Sequence, residues 1–314
     1  MSGGTHSQGA FAQMLIEPGA GPHTYDANSL ILEFLSETMS EHGRLLGSQG
    51  IGRGQLQMEA ARIRKGIGFT YGEVVMYISP NDVANLASNV WGFTESPSGT
   101  FTQSDALPYF GMLIDTDYYT FEFEDCMITD LEISGRAPQF DEQGEPEMIM
   151  LRMGIRGSLV TPGTSWPGSP PSLGTGAVDR PYIFSDSDGA VTLNGTVRPI
   201  QAFRFKINRG LYTKFANSLS AHSQRATTRN NQLAVQLPWN SDNLDLYDQA
   251  ESGAAASFVF TQGPYSTTLN LGRFHVPNNT PVVRGKGEIP LNIGGFVTGT
   301  GATADVVIVN DITP

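Results

Sequence analysis

Cysteine is almost absent: Cys126 is the only one in 314 residues. That excludes an intrachain disulfide framework and a cysteine metal cluster, and leaves Cys126 to be read as a small buried apolar side chain. Charge is sparse, at 16% of residues, where about a quarter is usual. Such a surface fits one covered by partners. Positive charge is scarcer still, 19 basic residues against 31 acidic ones for a net charge of −12. A protein that grips nucleic acid must neutralise phosphates, so the balance argues against that class, whereas a surface that keeps nucleic acid from sticking is compatible. Long apolar runs are missing, and the N-terminus MSGGTHSQGAFAQMLIEPGAG has no basic start. Neither a signal peptide nor a membrane anchor is expected, and synthesis is placed in the cytoplasm.

Catalytic signatures are missing too. The five histidines (His6, His23, His42, His222, His275) are scattered, with no HExxH pairing. No serine sits in a GxSxG elbow. The run Gly50-Ile51-Gly52-Arg53-Gly54 lacks both nucleotide-binding spacings. Asp186, Asp188 and Gly189 are spaced like the start of a calcium loop, but the downstream acid is absent, so a tight turn is the better reading. No enzyme activity, metal or cofactor is expected.

Glycine and proline are plentiful, at 36 and 19 residues. They point to many turns between short strands, hence a mainly β protein long enough for two domains. The stretch Gly66–Gly92 changes period halfway. Gly68–Ile78 is β-branched and aromatic, which suits a strand. Ser79 then offers an N-cap, Pro80 fits the first helical position, and Asp82 suits the helix N-terminus. Val83, Leu86, Ala87 and Val90 give the following helix one apolar face, and Gly92 stops it.

The same unit recurs. Leu233, Val235 and Leu237 alternate with polar residues, Pro238 ends the run, and Asn240 or Ser241 can cap a helix through Leu244, Tyr247 and Ala250, stopped at Gly253. Leu151–Gly163 and Leu291–Gly299 also share a strand, a glycine pair and Val-Thr. These repeats suggest an internal duplication. The Pro/Gly/Ser-rich stretch 162–181 reads as a linker, which divides the chain into an N-terminal arm (1–26), a first domain (27–161) and a second domain (182–314). The arm is either disordered or laid along a neighbour through Phe11, Met14, Leu15 and Ile16.

In both halves a long basic loop precedes the strand–helix unit. The first holds Arg44, Arg53, Arg62, Arg64 and Lys65; the second holds Arg209, Lys214, Arg225 and Arg229. Solvated charge and an interface role are both open readings, and the matching positions favour the interface. In Tyr118–Ser134, Glu122, Glu124, Asp130 and Glu132 share parity opposite Phe121, Phe123, Met127, Leu131 and Ile133. An unbroken strand would put an acidic face opposite an apolar one; a bulge near Asp125-Cys126 would destroy this.

The order of these features resembles the phage tail tube proteins. The basic loop leads into GIGFTYGEVVM, the short helix ends in Trp91-Gly92, and LPYFGMLIDTDYYTFEFEDCMITDLEISG follows. The second half repeats the order with YIFSDSDGAVTLNG, IQAFRFKINRGL, its basic loop and LPWNSDNLDLYDQAESG, so that the resemblance covers nearly all of 27–312. It implies tandem β-sandwich domains, each with one flanking helix, lending strands to an oligomeric β-barrel ring. Rings would stack into a conduit through which double-stranded DNA passes without specific binding. The duplication favours a trimeric, pseudo-hexameric ring over a hexamer. Glu122, Glu124, Asp130 and Glu132 are then expected at the lumen, and Arg44, Arg53, Arg62, Arg64, Lys65, Arg225 and Arg229 at the adjacent ring. Expected partners are the tape measure, tail terminator and distal tail proteins, in a virion made in the host cytoplasm. A distal tail or connector protein is one alternative. A carbohydrate- or cell-surface-binding sandwich using Trp166 and Trp239 is another.

Overall fold

Among the described residues, nineteen strands and one α-helix build the protein. The computed structural model describes residues 12–47, 63–96, 99–116, 119–137, 148–184, 191–215, 223–246, 249–277, 290–299 and 304–313. The first half runs β1 (Gln13–Pro18), β2 (Leu30–Leu32), β3 (Ser36–Glu37), β4 (Ser40–Gly47), β5 (Ile63–Tyr77), α1 (Pro80–Asn89), β6 (Phe93–Ser96), β7 (Thr100–Gln103), β8 (Phe110–Asp115), β9 (Thr120–Arg136), β10 (Met150–Gly157) and β11 (Leu159–Pro162). The second runs β12 (Val191–Leu193), β13 (Thr196–Val197), β14 (Ala202–Lys214), β15 (Ser223–Pro238), β16 (Gln249–Gln262), β17 (Tyr265–Val276), β18 (Pro290–Thr298) and β19 (Val306–Asp311).

The capped helix forms as its sequence dictates. Ser79 Oγ accepts the Asp82 N–H at 3.2 Å, and Asp82 Oδ2 accepts the Ser79 N–H at 2.8 Å. This reciprocal box satisfies two helix donors that would otherwise be orphaned. Pro80, Val83, Leu86 and Ala87 are buried, and the chain turns away at Gly92 with φ of 72°.

The second expected helix takes another form. Ser241–Leu246 closes a 3-10 turn, and the chain then enters β16, whose Gln249 pairs with Val276. Sheet pairing claims residues that the helical spacing had placed on a helix. The basic loops differ from expectation as well. β4 pairs with β5 and β14 pairs with β15 along their length, so the described residues of each loop are the paired arms of a β-hairpin. Polar residues on both faces hid the strand period there. The N-terminal arm becomes β1 from Gln13, and Met14, Leu15 and Ile16 are fully buried within the chain itself, against β2 and β8. Phe11 and the turn at Asp188-Gly189 lie outside the described residues. Val191–Leu193 forms a hairpin with β13, turning at Asn194 and Gly195, whose positive φ values of 54° and 75° suit a tight two-residue turn.

Two layers result. The long sheet runs β4–β5–β10–β9–β14–β15–β18–β17. Its centre is the β9–β14 pair, where Ala202–Asn208 oppose Arg136–Asp130. The second layer is two shorter sheets, β2–β1–β8–β9–β11 and β13–β12–β16–β17–β19–β7–β6. The strands β9 and β17 bend from one layer into the other. Strand β7 of the first half completes a sheet of the second, and α1 packs on β17 and β19. One contiguous cluster of buried side chains, including Val74, Leu131, Phe205, Val235, Phe258 and Ile308, fills the space between the layers. Facing apolar sides of a sandwich in this way removes both from water.

Candidate functional site

The long sheet turns its other face away from that core. Alternation places Glu73 on β5, Arg152 on β10, Asp130 and Glu132 on β9, Arg204 and Lys206 on β14, and Gln232 on β15 opposite the buried set. Cross-strand neighbours meet as ions. Arg152 Nε lies 2.6 Å from Glu73 Oε1, Arg204 Nη2 lies 2.6 Å from Glu132 Oε2, and Lys206 Nζ lies 3.5 Å from Asp130 Oδ1. The Arg204 pair holds its guanidinium above the ordinary arginine range through the hydrogen bond to Glu132. Two of the three pairs straddle the β9–β14 seam, so they join the two halves as well as neutralising the face. At one end a groove of about 670 Å³ is lined by Arg204, Lys206, Asn208, His275 and the exposed ring of Phe296.

The four acidic residues of β9 do not share one surface. Two bulges interrupt the strand. One lies at Glu124-Asp125, where Asp125 has φ of 48°, and the other at Thr129 opposite the Gly154/Ile155 step. Glu122 and Glu124 sit in the shorter sheet, accepting hydrogen bonds from Thr164 Oγ1 at 3.0 Å and Thr161 Oγ1 at 3.2 Å. Tyr25 lies over them, and its hydroxyl is pushed far above the usual tyrosine range by burial and then by Glu122. Asp130 and Glu132 alone reach the outer face of the long sheet. Arg136 and Arg156 share that face, Arg156 standing 4.3 Å over the Phe69 ring, so the face is mixed in charge.

The basic candidates also separate. Arg44 lies on β4 and Arg64 and Lys65 on β5; Arg53 and Arg62 fall outside the described residues. Arg225 is exposed on β15, opposite Tyr212 of β14, itself 62% exposed. Arg229 is engaged within the chain, its Nη1 and Nη2 each 2.8 Å from Asp105 and Asp305. Beneath it Arg209 is buried, and burial together with the neighbouring Arg229 lowers it to about 10. These arginines pin the β14–β15 hairpin to the loop after β7 and to the start of β19. Sequence reading missed this network, because its carboxylates come from positions 124 and 76 residues away along the chain.

Among the described residues no group of three His, Cys, Asp or Glu side chains could hold a metal ion, and no helix is long and apolar enough to cross a membrane. Trp239 is partly buried against the core and Trp166 is half-buried, which leaves neither as an open aromatic platform.

Comparison with known proteins agrees with the fold. No curated protein matches the chain. A family model described as phage tail tube protein matches residues 22–299, most of the length. A polar-faced sheet spanning both halves, backed by a sandwich core, is what a wall subunit requires, and the chain belongs to the phage tail tube proteins, structural virion components that self-assemble into the stacked rings of the tail tube.

Proposed function

We propose that three copies of this chain make each ring, every copy lending its eight-stranded long sheet to one closed barrel and its polar face to the lumen. The observation that carries this reading is the β9–β14 seam, which joins the two halves edge to edge inside one chain. The strand order β4–β5–β10–β9 recurs as β14–β15–β18–β17, which supports a duplication with domains at 27–161 and 182–314 joined by the 162–181 linker. Three chains then supply about 24 strands. At the usual strand spacing and tilt these enclose a bore of roughly 35–40 Å after side chains, wide enough for a DNA duplex.

The lumen reading is narrower than the sequence expectation. Asp130 and Glu132 face the lumen together with Glu73, each opposite a cation, while Glu122 and Glu124 support the shorter sheet. A wall on which Arg152, Arg204 and Lys206 are already paired with carboxylates offers fewer sites to phosphate, so DNA slides without being held. The two long hairpins reach toward the adjacent ring, and the basic residues Arg44, Arg53, Arg62, Arg64, Lys65 and Arg225 make contacts to it. Tape measure, terminator and distal tail proteins are the further partners, and the subunit is made in the host cytoplasm before joining the virion. No catalytic role is assigned.

The test is native mass spectrometry of the smallest assembly, followed by electron microscopy of the tube. Three chains per ring and Glu132 on the inner wall are expected; six chains, or Glu132 on the outer wall, would sink the corresponding part. Tyr212→Ala with Arg225→Ala is expected to leave rings intact and shorten the stacks. Tubes of unchanged length at equal concentration would remove the hairpins from the ring–ring contact.

A further inference from the structure

In the second half, two strand edges are covered by the first half: β14 by β9 and β19 by β7. Their counterparts in the first half are β3–β4 and β11. The register shows the match, for Ser36 and Ser40 oppose Val75 and Tyr71 of β5 as Ala202 and Lys206 oppose Gln236 and Gln232 of β15. Likewise β11 lies on β9 as β19 lies on β17. Among the described residues, no strand pairs with the outer side of either edge.

The two edges are chemically different. Gly163 donates its N–H inward to Thr120 at 2.8 Å, so alternation directs position 162 outward, and Pro162 has no N–H to offer there. Proline blunts β11. On the other edge Thr38 donates inward to the Glu73 carbonyl at 2.9 Å, which directs the Met39 N–H outward. That donor is met by the carboxylate of Glu37, with Oε2 at 2.7 Å.

We propose that the Ser36–Met39 edge is where a second copy of this chain docks by strand addition, and that Glu37 gates it. Its carboxylate holds the Met39 N–H in the single chain and must swing aside before a neighbouring strand takes that donor. The inference rests on the ring reading above. A second copy is the occupant because the equivalent edge, β14, is already filled by a strand of this same sheet, so that another copy continues one uninterrupted ladder. The chain–chain seam is not a duplicate of the internal one. Thr38 and Ser40 stand where Arg204 and Lys206 stand on β14. The 3-10 turn Ser241–Leu246 is followed so soon by β16 that the second half has no room for a hairpin like β6–β7. Without that ion pairing and that extra strand, the chain–chain seam is the weaker one and closes by association.

The test follows ring formation against concentration by sedimentation, with circular dichroism and melting to confirm folding. Met39→Pro is expected to stay a folded single chain well above the concentration at which the wild type forms rings, because the outward donor is gone. Glu37→Ala is expected to lower the ring-forming concentration about three- to tenfold, the worth of one released hydrogen bond. If Met39→Pro fails to fold, the Glu37→Ala threshold still decides. Folded Met39→Pro that makes rings like the wild type overturns the docking edge and leaves the ring reading standing; an unchanged or raised threshold in Glu37→Ala overturns the gate. A wild-type chain that never associates, even on a pre-formed tail tip, overturns both.

Discussion

Phe203→Ala should destabilise the unassembled chain by about 3–5 kcal/mol, the usual cost of removing a fully buried aromatic ring. Phe203 is 3% exposed on β14, beside the seam between the halves. Its ring centroid lies 4.9 Å from that of Phe258, 5.6 Å from Phe260 and 5.8 Å from Phe184. Offset and tilted ring pairs of this kind add to simple burial. The ring also rests on Gly135 of the paired strand, where a Cβ would stand 2.7 Å from it. Deletion therefore opens a cavity that backbone on that side cannot fill without breaking the β9–β14 ladder. Urea unfolding at a concentration below ring formation is the measurement. Tyr212→Ala on the same strand, largely exposed, should change stability by about 0.5 kcal/mol or less. A Phe203→Ala loss as small as that would mean that the aromatic cluster does not hold the seam.

The second large effect separates two adjacent glycines. Gly295→Ala is expected to cost about 3 kcal/mol, or to prevent folding, whereas Gly294→Ala should be neutral or stabilising by about 0.5 kcal/mol. A Cβ on Gly295 would lie 1.8 Å from the His275 carbonyl oxygen and 2.9 Å from its carbon. That contact is backbone, so relief requires β17 to leave β18, and among the described residues Arg273, Phe274 and His275 hold that pairing. On Gly294 the nearest atoms would be 3.8 Å away, ordinary contact, and alanine there restricts the unfolded chain. Thermal melts of the two variants check this. Equal melting temperatures would show that β17 and β18 can part freely at this point, and the long sheet would then end at β18.

Much of this fold was legible because its signals are short-range. Ser79, Pro80 and Asp82 announce a helix start whatever surrounds them, and the alternation at Leu233, Val235 and Leu237 announces a half-buried strand. The acidic strand shows where such reading stops. Glu122, Glu124, Asp130 and Glu132 keep one parity in sequence, yet the bulges at Asp125 and Thr129 and the bend from one layer to the other send them to two places. Leu244, Tyr247 and Ala250 carry helical spacing, but pairing between β16 and β17 outbids a marginal short helix. The hairpin strands around Arg209–Lys214 and Ser223–Arg229 were invisible as strands because largely exposed two-sided ribbons need no apolar alternation.

By itself the sequence determined the β class, the first helix with its cap and its stop, and the half-buried face of strands such as Leu233–Leu237, since each depends on residues within a few positions of one another. The tertiary structure decided which edges meet. It put β9 on β14 and β7 on β19, paired Asp130 and Glu132 with Lys206 and Arg204, locked Arg229 between Asp105 and Asp305, and, among the described residues, left the Ser36–Met39 edge without an outer strand. Strand pairing is chosen by contacts between distant segments that compete for the same hydrogen bonds, and no local pattern encodes the winner.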